Sequence, residues 1–143
     1  MHKSVCIEPL NLLLQGIWEL SCDRNQAARF SLELVEALLL GLREGPPAVQ
    51  VIALAAVWNL VVLADVRSVL VKLGIIELIV EVMTVSCKRR LDLGAREGRD
   101  EAEGQRWSDE LQLQNRVIFH ALGALAVLAV DSGAREHWIK VRS

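Results

Sequence analysis

The sequence predicts an all-α protein assembled from similar stacked units, and three observations carry that expectation. Ala, Val and Leu dominate a 143-residue chain with no Tyr and only three Pro, a usage that favours helix over sheet. The apolar residues gather into long runs, among them the charge-free "PPAVQVIALAAVWNLVVLA" from Pro46 to Ala64. Those runs also repeat. "GIWELS" (16–21) overlays "AVWNLV" (56–61) at an offset of forty, placing Trp18 on Trp58 and Leu20 on Leu60. After a one-residue gap, "LVEALLLGL" (34–42) overlays "IIELIVEVM" (75–83), with Glu36 on Glu77. A third copy, "QNRVIFHALGALAVLAV" (114–130), overlays "VQVIALAAVWNLVVLAD" (49–65), with Leu125 on Leu60 and Leu128 on Leu63. Self-similarity at such a period marks units that bury their apolar faces against their neighbours.

The elements follow from start and stop signals. At the N-terminus Lys3 supplies a positive charge, but Glu8 and Pro9 interrupt the apolar segment that a secretory signal needs, so no targeting segment is expected. Helices are expected over Pro9 to Cys22, Gln26 to Ser31 and Leu32 to Leu42; no Gly separates the last two, which leaves open whether they are separate or continuous. Pro46 and Pro47 after Gly45 open the next helix, since proline suits a first turn that needs no backbone donor. It is expected to reach about Ala64. Asp65 then precedes a short helix, Val66 to Leu73, which Gly74 terminates by taking a left-handed conformation. Ile75 to Cys87 follows. The stretch "KRRLDLGAREGRDEAEGQRW" (88–107) delays the third copy by about 25 residues. Its three Gly, alternating charges and few apolar side chains predict a disordered, inserted loop. Lys88, Arg89 and Arg90 form a short basic run of the kind that can address nuclear import. The simpler reading is cations at a helix C-terminus before a solvated loop. Ser108 is the expected N-cap of a helix reaching Ala129, and a final short helix starts at Ala134.

A short, a medium and a long helix at about forty-residue spacing resemble the armadillo-repeat family. "PAVQVIALAAVWNLVVLADVRSVLVKLGIIELIVEVM" is similar to that family's long third helix ending in Trp-x-Leu, a turn, an Arg-containing first helix, a Gly and an apolar second helix. "VIFHALGALAVLAV" resembles the small-residue variant of the third helix in β-catenin-like proteins. The resemblance implies a right-handed α-α superhelix, an armadillo-like solenoid of about three repeats, forming a single domain over 1–143. It further implies open repeat ends, with Ile7, Leu10, Trp138 and Ile139 as candidates for exposure there. Family members use the concave face lined by third helices. Importin-like ones present on it a Trp and, four residues later, an Asn that clamps a peptide backbone. Trp18 and Trp58 occupy the Trp position, and the third copy has Gly123. The Asn position holds Cys22, Val62 and Val127, none of which offers a paired donor and acceptor. Leu14, Leu54 and Phe119 fall one turn earlier on the same face. These eight Leu, Trp, Cys, Val and Phe positions are the candidate partner-binding residues of a greasy groove. A Trp or Leu at helical spacing serves a core as readily as a binding surface.

Other classes find little in the residues. A net charge of −2 supplies no concentrated basic face for nucleic acid. The run over 46–64 contains Gln50 and Asn59, much Ala and no aromatic belt, so no membrane span is expected. Cys6, Cys22 and Cys87 lack disulfide or metal-ligand spacing and read as buried free thiols in a reducing compartment, hence an intracellular protein. His2, His120 and His137 are scattered, and His120 reads as a satisfied core histidine. No catalytic set, metal site or cofactor motif is assigned; Gly94, Gly98 and Gly104 follow no strand. Glu33, Glu36, Glu77 and Glu81 read as a solvated outer face. The expected function is a noncatalytic protein-interaction scaffold or a structural subunit of a larger assembly. The alternative is an armadillo adaptor that transiently recognises a peptide or amphipathic helix, as nuclear-import receptors do.

Overall fold

A computed structural model describes residues 32–95 and 101–130, together with Gly16 and Trp18, and no strand occurs among them. Five helices are formed: α1 (Leu32–Glu44), α2 (Pro47–Leu60), α3 (Ala64–Lys72), α4 (Ile75–Gly94) and α5 (Glu101–Ala129). Gly16 and Trp18 are themselves helical. The helix expected over 26–31, the rest of the one over 9–22, the one from Ala134, and the end residues Ile7, Leu10, Trp138 and Ile139 lie outside the described residues.

α1 is amphipathic, burying Val35, Leu38, Leu39 and Leu42 at helical intervals while Glu36 faces solvent. α2 is different. Val49, Val51, Ala53, Leu54, Ala56, Val57 and Leu60 are all buried, residues that together point to most sides of the helix. Such a helix is stable only when neighbours enclose it, and α1 and α5 both pack on it. Its entry is set by Pro46 as N-cap and Pro47 in the first turn. Gln50 Nε2 donates to the Leu42 carbonyl at 2.9 Å, satisfying one of the acceptors that α1 leaves open at its C-terminus.

α2 ends at Leu60, a turn earlier than expected, and Ala64 and Asp65 belong to α3. Arg67 Nη1 donates to the Val61 carbonyl at 2.8 Å, so the side chain of the next helix holds the turn in which α2 stops. None of the helices among the described residues is long and apolar enough to cross a membrane. Gly74 adopts φ 88° and ψ 27°, the left-handed geometry expected from sequence, and lets the chain leave α3 and enter α4 without an intervening loop.

α4 buries Ile75, Ile76, Leu78, Ile79 and Val82. Glu77 is half-buried in its first turn rather than solvated, while Glu81 is exposed. The carboxylate of Glu77 there faces the partial positive charge of the helix N-terminus. The side chain of Glu33 lies outside the described residues. Cys87 is a free, exposed thiol on α4, against the expected burial; its neighbour Ser86 takes the inward position. Cys6 and Cys22 are outside the described residues.

The expected mobile loop over 88–107 is helical at both ends: α4 continues to Gly94 and α5 begins at Glu101. Ser108 therefore sits inside a helix and caps nothing. Lys88, Arg89 and Arg90 are exposed within α4, not at its end. The reason is a polar seam between the two helices. Trp107 Nε1 donates to the Leu93 carbonyl at 2.6 Å and Arg90 Nε to Asn115 Oδ1 at 2.6 Å. Deeper in, the buried Ser86 hydroxyl donates to Gln114 Oε1 at 2.6 Å, and Gln114 Nε2 donates to Glu110 Oε1 at 2.8 Å. Lys, Arg, Leu, Ala, Glu and Gln are good helix formers, so once the ends are tied together the glycines are tolerated.

Two measurements check this account. Gly74→Ala forces a side chain into the left-handed region and is expected to lower unfolding free energy by about 1–2 kcal/mol, read as a fall in urea midpoint at unchanged slope. Ser86→Ala leaves Gln114 Oε1 without that donor in the interior and is expected to cost about 1–3 kcal/mol. Most of that loss should return in Ser86→Ala/Gln114→Leu, where both polar partners are gone.

Candidate functional site

The site grows from the crossing of α2 and α5. α5 carries small residues at Ala121, Gly123, Ala124 and Ala126 within "HALGALA" (120–126), and Ala121 and Ala124 are completely buried. Small residues let two helix backbones approach closely. Trp58, half-buried near the end of α2, lies directly over Gly123. A Cβ added at Gly123 would fall well inside van der Waals contact of the indole atoms Cζ2, Cζ3 and Cη2. Trp58 thus needs the absence of a side chain at Gly123. The third copy has not merely lost its Trp; it supplies the notch in which the second copy's Trp rests.

Two further rings complete an aromatic cluster. Trp58 meets Phe119 edge-on, with centroids 5.6 Å apart and planes at 61°. His120 stands 6.0 Å from Trp58 and 5.4 Å from Phe119, nearly perpendicular to both. These are favoured edge-to-face arrangements. His120 Nδ1 lies 2.8 Å from the Arg116 carbonyl, an acceptor, so Nδ1 carries the proton and donates. His120 is therefore hydrogen-bonded, at a half-buried position rather than in the core.

The expected groove residues separate. Phe119 is 62% exposed and Val62, in the turn after α2, is 49% exposed. Trp18 is 40% exposed on its own helical segment. Val127 is half-buried and packs against the core. Leu54 is a correction: it is fully buried, in a helix that α1 and α5 both pack against and that buries residues on most of its sides. Leu14 and Cys22 lie outside the described residues. Gly123 and His120 were not foreseen as parts of the cluster. The signal for Gly123 was present, since a large ring and a hydrogen atom at equivalent positions of two stacked helices are volume-complementary.

Other concavities offer less. A shallow groove of about 280 Å³ between α1, α2 and α4 has Leu42 and Val82 among its apolar lining and Arg43, Glu44, Glu81 and Arg89 around it. Charges of both signs there give it no preference for an anion or a cation. Among the described residues, no group of three or more His, Cys, Asp or Glu is placed to hold a metal ion.

The Trp58 and Gly123 contact makes a sharp prediction. Gly123→Ala should destabilise the fold by about 1–3 kcal/mol through overpacking. With Trp58→Leu already in place the same change should cost far less, so a double-mutant cycle in urea should show coupling of about 1 kcal/mol or more.

Comparison with protein-family models, curated proteins and solved structures finds no match to this chain.

Proposed function

We propose that this chain is an armadillo-like helical-repeat unit acting as a noncatalytic interaction scaffold or structural subunit, which binds protein through an apolar surface centred on Trp58 and Phe119. The observation that carries the reading is the aromatic cluster itself. Phe119 keeps 62% of its surface exposed although its neighbours Trp58 and His120 are packed in fixed geometry beside it. A large apolar ring held rigid and open to water matches the aromatic anchors that dominate protein interfaces.

The repeat reading draws support from burial in the two related helices. Val49, Ala56 and Leu60 of α2 are buried, and so are Gln114, Ala121 and Leu125, their equivalents on α5. Capture of an extended peptide by its backbone is disfavoured. Val62, which takes the position of the importin-like Asn, is exposed but carries no donor or acceptor.

The test is quantitative affinity purification from the native cell with wild type and Phe119→Ala, the variant first checked by circular dichroism and urea unfolding. Because Phe119 is exposed, the fold should survive. A stoichiometric protein partner should be lost by about 30-fold, as expected for an interface anchor near 2 kcal/mol. Full retention of every stoichiometric partner by the folded variant would remove the proposed surface.

A further inference from the structure

We propose that the outer end of the α4 and α5 pair, residues 87–95 and 101–113, is a hinged arm that Trp107 latches shut and that opens as one unit while the body stays folded. The inference does not depend on the function proposed above. Burial changes abruptly along both helices. All the buried residues of α4 lie between Ile75 and Ser86, and all those of α5 between Gln114 and Leu128. Beyond the Ser86 and Gln114 pair, no residue of 87–95 or 101–113 is buried. Local opening costs least where little apolar surface leaves water. The hinge falls at the Ser86 hydroxyl, which donates to Gln114 Oε1 at 2.6 Å, because opening past that bond would leave both interior polar groups unpaired.

The two segments open together because each is held by the other. A helix extended past its last buried residue relies on propensity alone, which is marginal in water, and Gly104 weakens the first turns of α5 further. Contacts between the segments make up the difference. Trp107 Nε1 donates to the Leu93 carbonyl at 2.6 Å, and Leu93 sits in the last turn of α4, where carbonyls have no partner within their own helix. The indole thus caps α4 from α5. It is itself half-buried there, so release of the bond frees a carbonyl on one helix and a large ring on the other. Arg90 Nε to Asn115 Oδ1 at 2.6 Å is a second tie, close to the hinge.

Hydrogen exchange of the full chain, read by mass spectrometry, tests the arm with three variants confirmed as helical by circular dichroism. Gly104→Ala adds a methyl group where nothing lies within 4 Å and raises helix propensity. It should slow exchange about fourfold in 87–95 as well as in 101–113. Trp107→Phe removes the indole donor and should speed both segments by about 3- to 10-fold. Gly74→Ala, which weakens the body, should speed exchange in 114–128 and leave both segments of the arm unchanged. Three results overturn the inference. Acceleration of the arm by Gly74→Ala would mean that it opens only with the whole molecule. An effect of Gly104→Ala confined to 101–113 would mean that the helix ends fray separately, and an effect of Trp107→Phe confined there would remove the latch.

Discussion

α2 has no polar face. Half of its 14 residues are buried and they point in nearly every direction around the helix axis, so it can exist in water only as the centre of something. That requirement organises the molecule. α1 encloses it on one side, α5 on another, and α4 closes the gap between them by packing on both α1 and α5. The approach of α5 is then limited by one contact, the indole of Trp58 against the backbone at Gly123. A methyl group in that place would collide with the indole and force a local shift of the two helices, in a region where the flanking Ala121 and Ala124 are already fully buried.

The α4 and α5 pair is held by two different kinds of interaction along its length. Near the body the pair is aliphatic, with Ile79 and Val82 of α4 and Val117 and Ala121 of α5 all buried in the common core. Farther out the contacts become polar: Ser86 with Gln114, Arg90 with Asn115, Trp107 with the Leu93 carbonyl. Hydrogen bonds of this sort are directional and contribute only about 0.5–1.5 kcal/mol each when solvent competes. They fix the register of the two helices more than they add to stability, and the buried Ser86 and Gln114 pair fixes it most firmly because leaving either unpaired is costly.

This gradient explains which parts of the fold could be read from the sequence. The apolar repeats announced α1, α2 and α4, and the single Gly74 announced the turn between α3 and α4, because a left-handed residue has few substitutes. The outer ends of α4 and α5 were hidden. Their glycines and charges look like a loop when burial is the criterion, whereas their stability comes from helix propensity and from tertiary hydrogen bonds that no local pattern displays. A weak signal existed: Lys88 and Asp92, and likewise Arg106 and Glu110, are opposite charges four residues apart, the spacing that supports a helix. In the candidate site Trp58 and Phe119, both expected from the sequence on one face, lie side by side, whereas Leu54, expected on the same surface, is fully buried. Periodicity fixes an azimuth on one helix; it does not say which azimuth a second helix will cover.

The distribution of exposed apolar side chains separates one face from the rest. Leu40 on α1, Val69 on α3 with Leu73 just after it, and Val85 and Leu91 on α4 are exposed at separate places, and small groups of this kind are ordinary on protein surfaces. On α5 the exposed residues Phe119, Leu122 and Ala126 are aligned, and the first of them is an aromatic ring kept in place by two others. Burying a large apolar side chain is worth about 1.5–3 kcal/mol, so Phe119 and Leu122 together leave an appreciable driving force unused. The same three register positions on α2 show what that force achieves when a helix is available: Leu54, Val57 and Val61 have no surface left in contact with water. Enclosure of α2 by α1 and α5 closes those positions, while Phe119, Leu122 and Ala126 lie on a part of α5 that its neighbours leave exposed.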